Sequence, residues 1–187
     1  MDTQRELDEA MARLARRSPK ALAEFVGSLA HDGGPIGEQV RTFVVADNLA
    51  ACVASIAVRI EALRERRPRY DRHQDGAQVG ERFGYIVEAI ETWVVPVDPG
   101  AACALLVALV ERDGDAMEQC GDHFDTVERA LDRAAGLLAV LAPALADRDF
   151  KRSMRRDLER LVAEDAYGTR SATAGVASAL KATSEEG

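Results

Sequence analysis

The segment Val95-Pro96-Val97-Asp98-Pro99 limits the fold more than any other stretch of this chain. Proline lacks the amide proton a helix needs, and its ring collides with the preceding turn, so a regular helix breaks here. Before the break, Val79, Phe83, Ile86, Val87, Ile90, Trp93 and Val94 recur at offsets of three and four, which lines one face of a helix. After it, Asp98 can cap a new helix whose first turn tolerates Pro99. Gly100 to Gln119 reads as that second helix, rich in Ala, Leu and Val to Val110 and acidic beyond. A connection this short sends the second helix back along the first. Residues 78–119 are therefore expected to form an antiparallel hairpin at the centre of the core, with the single tryptophan, Trp93, buried in it.

Helix signals recur along the rest of the chain. Thr3 with Glu6 is a capping-box pattern ahead of Leu7, Met11 and Leu14. Ser18-Pro19 opens a helix carrying Leu22, Phe25, Val26 and Leu29, which His31-Asp32-Gly33-Gly34 stops. From Pro35, one apolar face runs through Val40, Phe43 and Val44, and another through Leu49, Cys52, Val53, Ile56, Ile60 and Leu63 to about Arg67. Asp47-Asn48 divides them into two helices. A single helix from Pro35 to Arg67 is the alternative, because neither residue is a strict breaker. Pro68 ends the segment, and Arg69 to Gly76 reads as a polar loop.

Beyond the turn Gly121-Asp122-His123, Asp125 and Glu128 repeat the capping logic before Val127, Leu131, Ala134, Leu138 and Leu141, and Pro143 ends or kinks that helix. Phe150, Met154, Leu158 and Leu161 stripe an otherwise charged helix closed by Tyr167-Gly168. The sequence thus predicts an all-α protein of about eight helices in stacked antiparallel hairpins, α-solenoid-like in the manner of HEAT or TPR arrays, or an irregular helical bundle. One domain is expected over 1–168, followed by a weakly helical or disordered tail over 169–187, where only Val176 and Leu180 offer anchors. No consensus repeats at a fixed period. Aromatics at 5% and few β-branched runs argue against a β-rich fold.

A formal charge of −8 disfavours nucleic acid and anionic membrane as partners. The first residues lack the apolar core of a signal peptide, and no stretch of about 18 uncharged apolar residues predicts a membrane span. Three widely spaced cysteines, Cys52, Cys103 and Cys120, suit a reducing compartment, so a cytoplasmic location is expected.

Catalytic signatures are missing. The chain has no Gly-x-Ser-x-Gly, no Gly-x4-Gly-Lys and no Gly-x-Gly-x-x-Gly after a strand. Cys120 and His123 have metal-ligand spacing, next to an acidic run of Glu111, Asp113, Asp115, Glu118, Asp122 and Asp125. A zinc site needs three or four ligands, and no second Cys/His pair accompanies them. Two arginine-rich clusters can grip carboxylate or phosphate. One comprises Arg64, Arg66, Arg67, Arg69 and Arg72; the other comprises Lys151, Arg152, Arg155, Arg156 and Arg160 on the last firm helix.

The run Val95 to Ala102, leading through Leu105-Leu106 to Glu111-Arg112-Asp113, resembles part of an uncharacterised bacterial all-helical family. Asp165-Ala166-Tyr167-Gly168 resembles a second feature of that family, an acidic residue shortly before Tyr-Gly. The resemblance covers roughly residues 35–168 and departs at the end, since family members continue beyond Tyr-Gly. It implies a helical fold and no activity.

The functional expectation is a non-catalytic helical interaction or scaffold module that binds another macromolecule and needs no cofactor. Its partner would be another protein, an acidic ligand or a second copy of the chain, held by Lys151, Arg152, Arg155, Arg156 and Arg160. The alternative is a metal-dependent enzyme or metal-binding protein using the Asp113–Asp125 region with Cys120 and His123.

Overall fold

A computed structural model of the chain describes residues 8–9, 11–31, 34–64, 72–120 and 124–185. Among these residues there is no strand, and the fold is all-α. Nine α-helices are described: α1 (Pro19–Ala30), α2 (Pro35–Val44), α3 (Leu49–Ala62), α4 (Arg72–Ala89), α5 (Pro99–Val110), α6 (Asp113–Cys120), α7 (Phe124–Ala144), α8 (Arg148–Ala163) and α9 (Ser171–Glu185). A five-residue π turn, Ile90–Val94, follows α4 directly. Met11 to Leu14 are also helical. No helix among the described residues is long and apolar enough to cross a membrane.

The local signals act as expected where they involve neighbouring residues. The Ser18 hydroxyl accepts from the Ala21 amide at 3.2 Å and Asp98 from the Ala101 amide at 2.9 Å, each with a proline in the helix's first turn. Asn48 accepts from the Ala51 amide at 3.1 Å and starts α3, so Pro35 to Ala62 is two helices. Thr3 and Glu6, Pro68, and Gly121-Asp122-His123 lie outside the described residues.

The chain over 78–119 does turn back on itself, the π turn meeting α5 and α4 meeting α6, but its halves are not each other's main partners. α4 packs most extensively on α7, while α5 lies against α7, α3, α8 and the π turn. The reason is compositional. α5 is apolar on every face, and it buries Ala102, Cys103, Leu105, Leu106, Leu109 and Val110 along one broad side while Ala104 opposite stays exposed. A side this broad meets several neighbours at once, so α5 packs against more than the helix before it. Nor does the helix run on to Gln119: it breaks at Glu111-Arg112, and Asp113 begins α6. The expected loop over Arg69–Gly76 also shortens, because α4 starts at Arg72 and takes Gly76 into its first turns.

Trp93 is half-buried at the edge of the core, packed against Phe43 with ring centroids 6.2 Å apart. The π turn explains its position. The Val95 amide bonds to the Ile90 carbonyl at 3.0 Å, five residues back, which widens the turn. Ile90 and Val94 stay fully buried while Trp93 rotates toward the rim.

At the C-terminal end, α8 buries Met154, Leu158 and Leu161 as the stripe predicts. Gly168 takes a φ of +73°, the left-handed conformation that glycine adopts without steric cost, and turns the chain into α9. α9 places Val176, Ala177 and Leu180 against α7 and α8, so residues 171–185 belong to the helical body.

Candidate functional site

The most incompletely covered surface lies at the N-terminal end. Seven of the ten large apolar side chains exposed among the described residues fall between Met11 and Val58, and α1 fully buries none of its own. Two helices shape this surface. α3 sends Cys52, Ile56 and Ile60 into the core and keeps Ala51, Ala54, Ser55, Val58 and Ala62, again at helical spacing, on its outer side. α2 turns Thr42 inward and leaves Phe43 and Val44 outside. Between them lies an open groove of about 820 Å³, mostly apolar, lined also by Ala30 of α1 and by Val58, which is 69% exposed.

One wall of the groove is cationic. Arg59 and Glu38 both line it, and the Arg59 Nε lies 3.9 Å from a Glu38 carboxylate oxygen. Arg82 of α4 reaches the other Glu38 oxygen at 3.1 Å. The Arg59 Nη1 donates to the Thr42 hydroxyl at 3.0 Å and to the Gln39 side-chain oxygen at 3.3 Å, whereas its Nε and Nη2 have no hydrogen-bond partner among the described residues. Burial lowers the pKa of Arg59 below the ordinary guanidinium value; Glu38 opposes the shift, and Arg41 and Arg82 add to it. Arg41, also on the groove, donates to the Ala30 carbonyl at 2.7 Å and ties α1 to α2.

The five cations predicted as a partner-binding face lie on α8, and their own surface answers three of them. Arg152 pairs with Asp149 at 3.0 Å and Arg155 with Glu159 at 3.6 Å. Arg160 bridges Glu111 and Glu164 at 3.2 and 3.1 Å, and its hydrogen bond to Glu111 raises its pKa above the ordinary value. The Lys151 Nζ approaches the Pro143 carbonyl at 3.5 Å. Arg156 stays exposed, with no ion pair among the described residues. Of the other arginine cluster, Arg64 pairs with Glu61 at 3.2 Å, and Arg66, Arg67 and Arg69 lie outside the described residues.

The acidic run is dispersed by the fold. Asp113 is buried and engaged by Thr169 and Arg170, and Glu111 by Arg160. Among the described residues no three His, Cys, Asp or Glu side chains gather as metal ligands would. Asp122, His123 and the Cys120 side chain lie outside the description. Cys52 and Cys103 are free and buried, and burial raises both thiols, Cys103 to about 11, so neither offers a reactive thiolate.

The turn that follows Asp165 meets the start of α6. Asp165 accepts backbone bonds from Tyr167, Gly168, Thr169 and Arg170, and this tight turn delivers Thr169 and Arg170 to Asp113. Their role is to hold the C-terminal turn onto α6. The groove itself left a readable trace in the sequence, because α3 carries apolar or small residues on two faces and one helix of a small bundle buries only one. No protein-family model, no curated protein and no solved structure matches this chain.

Proposed function

We propose that the chain is a non-catalytic interaction module that binds another protein through the groove between α2 and α3. The observation that carries this reading is the open apolar trough itself, lined by exposed Val44 and Val58 and by Ala30 of α1. A contiguous apolar surface of this kind is disfavoured on a protein that works alone and is the usual mark of a docking site. The surrounding α4–α9 body supplies a rigid platform, since α5 and its neighbours form one continuous core. On α8, Lys151 and Arg156 give an acidic partner a second point of contact.

Site-directed photo-crosslinking tests the reading. A photoreactive phenylalanine analogue at Val58 should trap a discrete protein in cells that express the chain natively. The same analogue at Val140, equally exposed on α7, should not. Equal trapping at both positions, or none at Val58, would overturn the proposal.

A further inference from the structure

We draw no further inference here: the strongest candidate, the open apolar groove between α2 and α3, belongs to the site already described, and nothing in the structure shows what covers it.

Discussion

Arg170 donates through Nε to Oδ2 of Asp113 at 2.6 Å, joining the turn before α9 to the first residue of α6. The pair is bidentate, since Nη2 reaches the other carboxylate oxygen, and the two side chains are only 8% and 2% exposed. Thr169 adds a hydroxyl to Asp113 at 2.9 Å, and the Arg170 Nη1 donates to the Leu161 carbonyl at the end of α8. One ion pair thus ties α6, α8 and the start of α9 together. Removing one member leaves a buried charge without its counter-ion, so Asp113→Asn or Arg170→Met should each cost about 3–5 kcal/mol in chemical denaturation. The double variant Asp113→Leu/Arg170→Met should lose much less than the sum, because no buried charge remains. Additive losses would show that the two residues act separately.

Asp165 makes the same corner sensitive to acid. Burial pushes its carboxyl up, but four backbone amides outweigh burial and hold it below the ordinary value of 3.8. A carboxylate depressed in the folded state contributes stability that is fully present above its unfolded pKa. That contribution is lost as pH falls below about 3.8 toward the folded value. Denaturant midpoints measured from pH 6 to pH 2.5 should therefore fall more steeply at the acid end for the parent than for Asp165→Asn. At neutral pH, Asp165→Ala should cost about 1 kcal/mol through the lost amide bonds. Parallel acid limbs would rule out this role for Asp165.

Two glycines of α4 should respond to alanine with opposite signs. A Cβ at Gly80 would meet the Thr126 hydroxyl oxygen at 1.8 Å and its Cβ at 2.5 Å, where α4 crosses α7. A Cβ at Gly84 meets nothing within 4 Å. Gly84→Ala should raise stability by roughly 0.5–1 kcal/mol through helix propensity. Gly80→Ala should lower it by about 1–3 kcal/mol through overpacking, and Thr126→Gly should recover part of that loss. Thermal melts of the variants decide the point.

Trp93 reports on the platform beside the groove. Its ring leans on Phe43, itself 58% exposed, so its fluorescence should be partly accessible to acrylamide. Phe43→Ala should red-shift the emission and increase quenching, at a stability cost of about 0.5–1.5 kcal/mol for the ring pair. Emission unchanged by Phe43→Ala would place the indole elsewhere.

What the sequence made legible follows the range of the interactions. The Ser18 and Asp98 caps act within three residues, and the stripe of Met154, Leu158 and Leu161 follows from helical period alone. The π turn has no comparable signature: Ile90, Trp93 and Val94 read as one stripe until the backbone widens between Ile90 and Val95. The break at Glu111-Arg112 is set by distant partners, because Arg112 bonds Glu61 at 2.7 Å and Asp113 bonds Arg170. The basic character of α8 was visible, but its neutralisation by Glu111 across 49 positions was not. The second apolar face of α3 is visible in the sequence, but which of its faces the other helices leave uncovered is a property of packing.

The most direct test of where this protein works is hydrogen exchange on the whole chain, alone and saturated with the partner protein that the Val58 crosslinker identifies. Slowed exchange should be confined to the amides of residues 36–62, with α8 over residues 148–163 unchanged. Protection appearing on α8 and absent from α2 and α3 would contradict the account and move the docking surface to the basic helix.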